Sequence, residues 1–447
     1  MKNLSIFIFL LCFSFGFAQD TPTSFSLQEA IDYALENNRT AKNAARDIEA
    51  AKQQKRETTA SGLPQVSARI DYQNFLRQQV SVIPAEFFGG QPGEFAEVIF
   101  GTKQTATAFA TLNQKIFDGS YLVGLQSAKV FLEISKNAKV KTDLEVRKAV
   151  IEAYGNVLLA KESIDILERN IDIIEKNLFE TQKIYENGLG EEESVEQLQI
   201  TLSGLKSGLN NTNRLKTLAY QMLNITLGLD VYDTLTLTDN LESLTQQNIS
   251  LSILEAESNP LSTIDYQIAE NDAESKALLL KLEKSKALPT LNAFLNGGYS
   301  AFEDDFSFFN KDQNWFGSAL FGLSLDIPIF SSGMRRAATQ RAEINLDKAQ
   351  TELTETEQRI KLQIASSKSN YQFTIEDYEN KKENLALAKR IESKNQTKFF
   401  EGISSSFELR QAQIQLFTAQ QELLQAMLDV INSKAELETV LNDIPKN

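Results

Sequence analysis

The stretch between residues 119 and 188 constrains the fold more than any other, because it contains almost nothing that interrupts an α-helix. It has no proline, and its only interior glycines are Gly124 and Gly155. At 1.5 Å per residue it would form a helix roughly 100 Å long. Helices in globular domains average about three turns. The sequence therefore predicts a helical rod.

The second half of this stretch repeats its apolar residues every seven positions. Such a repeat predicts that the helix coils around partner helices. This pattern alone would also suit one arm of a cytoplasmic coiled coil, so the choice depends on the other segments. The repeat consists of Val150, Val157, Ile164, Ile171, Leu178 and Tyr185, with Ala153, Ala160, Leu167 and Ile174 at the second position.

The first 18 residues have the composition of an export signal. Lys2 precedes an apolar run over residues 4–17, and small residues stand at Gly16 and Ala18, where a signal peptidase cleaves. We predict that residues 1–18 are removed and that the mature chain is exported.

Composition excludes several classes of function. The chain has no histidine, and its only cysteine, Cys12, lies in the predicted signal, so the mature protein lacks an imidazole base and a thiol nucleophile. Metal-ligand spacing and a phosphate loop of the G-x-x-x-x-G-K-S/T kind are also missing. A net charge of −15 disfavours nucleic acid, which requires a basic face. We expect no enzyme, no catalytic or metal-binding residues and no cofactor.

The first half of the mature chain predicts a helix, two strands around a loop, and a helical hairpin. A capping box at residues 26–29 starts a helix that ends near residue 61, before Gly62 and Pro64. Strands are predicted from residue 66 and at residues 104–117, on either side of a loop over residues 83–101. After the long helix, Gly188 forms the predicted tip of the hairpin, Ser194 is predicted to cap the next helix, and a connector covers residues 230–259.

The second half repeats this order. Its two strands flank a loop rich in acidic and aromatic residues, and its long helix is as long as the one in the first half. An internal duplication accounts for the match, so we predict a signal peptide at 1–18, a first repeat with its connector at 19–258, and a second repeat at 259–447. The predicted elements are helix 260–288, strand 291–299, loop 301–316, strand 318–330, helix 333–402 and helix 405–441.

The four predicted strands bear on where the protein lies in the cell. Each is about 10 residues long, enough to cross a bilayer when tilted. Closed membrane barrels have about eight strands or more, so four strands would have to share a barrel with other subunits. Tyr299, Trp315 and Phe316 lie near predicted strand ends, as in an interfacial aromatic belt. A soluble sheet with one face on a core is the alternative.

Short motifs recur in both halves in the same order, and they carry a family resemblance. Over nearly all of the mature sequence the chain resembles the TolC family of outer-membrane efflux proteins. The motifs are Ser-Leu-Gln-Glu-Ala at 26–30 with Ala-Leu-Glu-Asn-Asn at 34–38, Leu-Pro at 63–64 and 288–289, Ile-Phe-Asp-Gly at 116–119, Ile-Pro-Ile-Phe at 327–330, Asn-Gly-Leu at 187–189 and Glu-Gly-Ile at 401–403.

The resemblance implies a fold that is mainly α with a small β part. A long antiparallel coiled-coil α-barrel would continue into a shared transmembrane β-barrel with four strands per chain, on an internal two-fold repeat. It implies a homotrimer in the cell outer membrane, in contact with its lipid, with a helical tunnel in the periplasm. Members are exit ducts of a tripartite efflux pump or a type I secretion system, joined to an inner-membrane transporter by a periplasmic adaptor.

The resemblance also implies site residues. The adaptor would dock on the tips, which hold Gly188 and Leu189 in the first hairpin and Gly402 and Ile403 in the second.

The family narrows its entrance with a Tyr before the second tip glycine, an Arg two residues after it and acidic residues further on. Phe399, Ser404, Glu408 and Gln411 hold those places here, so only Glu408 keeps an acid and the Arg of the family's latch is absent. Glu408 has a second interpretation, because Ser405-x-x-Glu408 is a capping box; the two roles can overlap.

Two functions of different classes follow from these patterns. The first is a passive trimeric outer-membrane duct that opens at its periplasmic tip. The second is an exported coiled-coil structural or adhesive protein with a soluble β head. The resemblance favours the duct.

Overall fold

A computed structural model of the chain describes residues 24–255 and 257–442. The predicted signal at 1–18 lies outside the described residues. The helices, numbered in chain order, are α1 (Leu27–Asn37), α2 (Arg39–Ala60), α3 (Gly119–Glu186), α4 (Glu192–Leu227), α5 (Leu241–Asn248), α6 (Ser252–Glu255), α7 (Ile264–Ser285), α8 (Met334–Phe400) and α9 (Ser406–Leu441).

Long helices dominate the described chain, as predicted. Helix α3 has 68 residues and α8 has 67, while α4 and α9 have 36 each. Among the described residues, no helix is both long enough and apolar enough to cross a membrane.

The predicted helix 26–61 is wrong in one respect, because the helix is interrupted at Asn38 and forms α1 and α2. The backbone there is extended, with ψ at 135°. The Asn38 side chain accepts hydrogen bonds from the backbone N–H groups of Thr40 at 2.7 Å and Ala41 at 3.2 Å, so it caps a second helix. The predicted capping box is confirmed: Glu29 N–H donates to Ser26 Oγ at 3.4 Å, and Ser26 N–H donates to Glu29 Oε2 at 2.8 Å.

Four of the strands form one antiparallel sheet. The strands are β1 (Ser24–Phe25), β2 (Gln65–Asn74), β3 (Val80–Pro84), β4 (Phe95–Ile99), β5 (Gln104–Asp118), β6 (Thr236–Leu237), β7 (Thr290–Glu303) and β8 (Phe316–Asp326). The order in the four-stranded sheet is β2-β5-β7-β8, and β2 and β8 have one neighbour each within the described part of the chain.

Several predicted boundaries require correction. The predicted loop 83–101 contains part of a hairpin, in which β3 pairs with β4 and Val82 lies opposite Glu97; the alternation that forms it is only five residues long on each side. Strand β7 extends into the predicted loop 301–316. Strand β8 ends before Pro328, which cannot donate a ladder hydrogen bond. Helix α7 begins four residues later than predicted, after a 3₁₀ turn at Pro260–Ser262.

The chain forms two compact units. The helical unit comprises the described residues of 1–46, 137–267 and 356–447, and the strand unit comprises residues 47–136 and 268–355. This division differs from the predicted repeat boundary after residue 258, which stays a prediction.

An apolar core holds the helical unit together. The predicted heptad residues Val150 and Val157 of α3 are buried in it, together with Val430 and Leu437 of α9. The heptad spacing of Leu and Ala along α9 predicts a second apolar seam, and that seam is buried at every position, whereas Tyr185 near the end of α3 is exposed. The α9 seam consists of Leu409, Ala412, Leu416, Ala419, Leu423, Ala426, Val430, Ser433, Leu437 and Val440.

Two buried tyrosines bind the connector to this core. The hydroxyl of Tyr154, on α3, lies 3.0 Å from Asp239 Oδ2 and donates to the Phe25 carbonyl at 2.9 Å. The hydroxyl of Tyr371, on α8, donates to the Asn248 carbonyl at 2.5 Å. Burial raises the pKa of both hydroxyls. We call this part of the helical unit the connector end.

Candidate functional site

The first candidate element is the turn between α3 and α4. Gly188 has a φ of +76°, which an L side chain adopts only with strain. Its N–H donates to the Tyr185 carbonyl at 2.8 Å, and the next N–H, of Leu189, donates to the Ile184 carbonyl at 3.1 Å. These two bonds form a Schellman motif, which ends α3 and satisfies its last carbonyls.

The turn between α8 and α9 has the same construction. Gly402 has a φ of +71°. Its N–H donates to the Phe399 carbonyl at 3.0 Å, and that of Ile403 donates to the Lys398 carbonyl at 2.8 Å. Both predicted tips are therefore helix ends closed by a left-handed glycine.

The surroundings of both tips are open. A Cβ atom added at Gly188 or Gly402 would have no heavy atom within 4 Å in the described structure. Leu189 is 82% exposed and Ile403 is 70% exposed. Within this chain each glycine is thus required by its backbone conformation and not by packing, and each is followed by an apolar side chain that contacts solvent.

The helices after the two tips begin differently. Ser405 and Glu408 form the predicted capping box, with both hydrogen bonds at 3.3 Å. The predicted cap at Ser194 is wrong, because α4 begins at Glu192 and the N-cap residue, Glu191, makes no side-chain cap bond. Two further acids follow in the first turn of α4, where the helix dipole favours negative charge.

Ser194 instead links the two hairpins. Its hydroxyl donates to Ser406 Oγ at 2.9 Å, so the first turns of α4 and α9 are in direct contact. At the first tip, Lys183 pairs with Glu186 at 2.7 Å, and its hydrogen bond lowers the pKa of that exposed carboxyl.

The four predicted entrance residues lie around the second tip in different settings. The Phe399 ring packs edge-on against Phe400, with centroids 5.3 Å apart. Ser404 is half-buried, and its Oγ has no hydrogen-bond partner in the described chain. Glu408 and Gln411 are exposed. Within one chain, no hydrogen bond or ring contact joins any two of these four described residues.

Sequence reasoning missed a third buried row on α3. Ser163, Asn170 and Asn177 recur every seven residues, each directly before a predicted heptad position, and all three are buried. Glutamines of α9 face them: Ser163 Oγ donates to Gln421 Oε1 at 3.5 Å, and Asn170 Nδ2 donates to Gln420 Oε1 at 2.9 Å. The available signal was Ser and Asn at heptad spacing beside an apolar seam.

Known sequences place the chain among membrane channels. A sequence profile of the outer membrane efflux protein family matches residues 30–229 and 269–443. The outer membrane protein TolC of Vibrio cholerae serotype O1 is 20% identical over 342 residues, which are 76% of this chain and 77% of that protein.

Solved structures share the fold. CusC, which forms a transmembrane channel, matches with a TM-score of 0.74 and 20% identity, over 93% of this chain and 91% of that one. The outer membrane protein VceC of Vibrio cholerae matches at 0.71 and 16%, over 93% and 95%. The MtrE outer membrane channel of Neisseria gonorrhoeae matches at 0.72 and 16%, over 93% and 88%. At these identities the likeness establishes the fold.

Proposed function

Because this chain belongs to the outer membrane efflux protein family, we propose that it is a trimeric exit duct of a tripartite efflux pump or a type I secretion system. The protein lies in the outer membrane with a helical tunnel in the periplasm, and its family is one of channels, not enzymes. In our proposal the duct is a passive conduit that opens at its periplasmic tip, where an adaptor connects it to an inner-membrane transporter.

The unclosed sheet of the strand unit carries the trimer proposal. Its edge strands expose apolar side chains, such as Val66 and Ile70 on β2 and Leu323 and Leu325 on β8. Edge strands with unpaired backbone groups are not tolerated in lipid. Closed barrels have about eight strands or more, which one four-stranded sheet cannot supply. Sharing between copies would pair both edges and turn the exposed apolar residues toward lipid.

Detergent extraction tests the duct against an exported soluble rod. We expect the protein to fractionate with the outer membrane and to come out as a trimer only in detergent. Recovery in the aqueous periplasmic extract would contradict the duct. A stable, folded monomer in detergent would contradict the shared barrel while leaving the location intact.

The loops between strands allow the orientation of the protein in the membrane to be tested. We propose that the β2–β5 and β7–β8 loops face the cell exterior. Phe87 and Phe309 are strongly exposed loop residues, and Cys12 is the only native cysteine, so Phe87→Cys and Phe309→Cys would each provide a single reactive thiol in the mature chain. Both should react with an impermeant reagent on intact cells. Failure of both to react would reverse the orientation.

The tips are the proposed docking site for the adaptor. Open space around Gly188 and Gly402 would allow a helical hairpin to approach the backbone closely, and Leu189 and Ile403 offer exposed apolar contacts. The same Schellman geometry at both tips supports equivalent docking at each.

We propose Phe399, Ser404, Glu408 and Gln411 as the entrance constriction, with Glu408 as its acidic group. The capping bond occupies one carboxylate oxygen of Glu408, and the side chain is exposed, so capping and a pore-facing charge are compatible. Conductance of the purified trimer in a planar bilayer tests this. Glu408→Gln should lower cation selectivity; unchanged selectivity would leave Glu408 as a helix cap only.

We also propose the two-fold repeat, with a signal at 1–18 and repeats at 19–258 and 259–447. Three features support it. Both tips have the same turn, the family profile matches in two segments, and Tyr154 of α3 and Tyr371 of α8 occupy similar places in their helices and make similar bonds to the connector.

A further inference from the structure

The buried polar row of α3 continues toward the tips with less complete hydrogen bonding. We call Asn170 with Gln420 the proximal pair, and Asn177 with Gln413 the distal pair. Asn177 lies seven residues after Asn170, and Gln413 lies seven residues before Gln420. Because contacts between α3 and α9 run antiparallel, the distal pair repeats the placement of the proximal pair one heptad nearer the tips.

The two pairs differ in their bonds. The proximal pair is joined by a hydrogen bond of 2.9 Å. Asn177 is 1% exposed and Gln413 is 0% exposed, yet Asn177 Nδ2 has no partner among the described residues. Within the described chain the Gln413 side chain interacts with the Glu392 carboxyl of α8 but makes no hydrogen bond of good geometry. The one bond to the Asn177 side chain is a long one, from Gln396 of α8 at 3.4 Å. Buried polar groups are nearly always paired, and the distal pair is among the described residues that depart from this rule.

Two more polar side chains border the distal pair. Glu392 of α8 lies beside Gln413; burial raises the pKa of its carboxyl, and the hydrogen-bonding interaction with Gln413 offsets part of this rise. Thr181, one turn beyond Asn177, is buried, and its hydroxyl has no partner within the described chain. We define the distal layer by its five polar residues, contributed by α3, α8 and α9: Asn177, Thr181, Glu392, Gln396 and Gln413.

The distal layer changes the free energy of separating these helices. Parting an apolar layer exposes apolar area to water, which is unfavourable. Parting a layer of buried polar groups with incomplete hydrogen bonding gives those groups hydrogen bonds to water that the packed state denies them. Ile174 belongs to the apolar seam of α3 and lies just before the layer. It is fully buried, so separating the helices at this point is unfavourable. The helices therefore separate most easily from this layer to the tips.

We propose that the distal layer is the boundary at which α3 separates from α8 and α9 when the duct opens, and that Asn177 and Gln413 set how easily it opens. This inference rests on the proposed opening at the periplasmic tip. The helices remain packed from the proximal pair to the connector end. Asn177 and Gln413 are positioning residues, because they act through helix packing and not through contact with the transported substrate.

Apolar replacement of the distal pair tests the proposal. Asn177→Leu with Gln413→Leu should close the layer and reduce the open fraction of the purified trimer in planar bilayers by about tenfold. The matched control, Asn170→Leu with Gln420→Leu, makes the same chemical change one heptad away and should leave the open fraction within about twofold of the unmodified protein. Equal effects of the two double variants, or no effect of the distal one, would overturn the proposal.

Hydrogen exchange of the unmodified trimer provides a second test that needs no variant to fold. Amides on the tip side of the layer, at residues 178–186 and 406–412, should exchange about tenfold faster than those at residues 163–170 and 420–427. Equal protection on both sides would contradict the boundary. If the unmodified trimer does not conduct in a bilayer, the proposed duct fails, whereas the exchange experiment still decides whether the layer separates.

Discussion

The connector end of the helical unit and its tip end, which carries the turns at Gly188 and Gly402, share long helices but differ in the hydrogen bonding of particular buried side chains. At the connector end, the buried hydroxyls of Tyr154 and Tyr371 are hydrogen-bonded, although Asn224 Oδ1 has no partner in the described chain. At the tip end, Asn177 and Gln413 are equally buried, but Asn177 Nδ2 has no partner in the described chain and Gln413 interacts with Glu392 without good hydrogen-bond geometry. An unpaired buried polar group costs about 1–3 kcal/mol. One pair of helices can therefore be firmly packed at one end and separable at the other.

The largest expected effect is at a buried ion pair of the connector end. Arg147 and Glu438 lie 2.7 Å apart, both largely buried. Glu438→Leu leaves the charges of Arg147 and of Lys434, which lies 3.7 Å from Glu438, without this partner and should lower the free energy of unfolding by about 3–5 kcal/mol. The double variant Arg147→Met with Glu438→Leu should recover part of this loss, because the Lys434 charge still lacks this partner. Urea unfolding of the solubilised protein measures both, and a single variant as stable as the unmodified protein would show that this pairing is unimportant.

A smaller loss of stability is expected when a single hydroxyl is removed. Tyr154→Phe leaves Asp239 and the Phe25 carbonyl without this donor and should lower the free energy of unfolding by about 1–3 kcal/mol. Gln413→Leu removes an interaction with Glu392 that lacks good hydrogen-bond geometry and should destabilise the protein less than Tyr154→Phe does. Tyr185→Phe, at an exposed position of α3, is the control, with a change within about 0.5 kcal/mol. Equal losses in Tyr154→Phe and Gln413→Leu would remove the contrast between the two ends.

The tip glycines should affect transport more than stability. Gly188→Leu and Gly402→Leu place an L side chain in the left-handed region, at about 1–2 kcal/mol, in a turn with open space around it. Trimer assembly should persist, and efflux and adaptor cross-linking should be lost because the side chain blocks docking. Gly402→Asn distinguishes a requirement of the turn from a requirement of docking, since Asn tolerates the left-handed conformation. Normal transport in Gly402→Asn assigns the glycine to the turn; normal efflux and cross-linking in both Leu variants would exclude the tips from docking.

The smallest effect is a pH dependence at the tip end. Burial raises the pKa of Glu392 above its ordinary value of 4.5. Between the ordinary pKa of 4.5, which applies to the unfolded state, and the raised pKa of the folded state, only the folded state binds this proton. The free energy of unfolding therefore falls as pH rises through the folded pKa, and the contribution of Glu392 is most favourable below pH 4.5. Glu392→Gln should remove this component and stabilise the tip end at neutral pH. Unfolding midpoints at pH about 5 and about 7.5 measure it, and an unchanged pH difference would contradict the assignment to Glu392.

The local signals predicted the helices and their ends well. The heptads of α9 predicted buried positions along its whole length, and Ser26 and Ser405 form the capping boxes that their spacing predicted. The prediction failed at Asn38, where a side chain competes with the helix backbone, and at Ser194, where three acids in a row obscured the helix start. The hairpin β3–β4 was missed because each strand is only five residues long and the tip between them is rich in Gly and Pro.

The sequence by itself determined the long helices, the apolar seams and the left-handed turns at Gly188 and Gly402, because each depends on residues within a few turns of one another. Only the tertiary structure decided that Asn177 lies buried near the tips without a full set of bonds, and that Ser194 contacts Ser406. Both facts depend on the register between helices far apart in the chain. Helix packing can shift that register without changing any local pattern, so no local signal reports it.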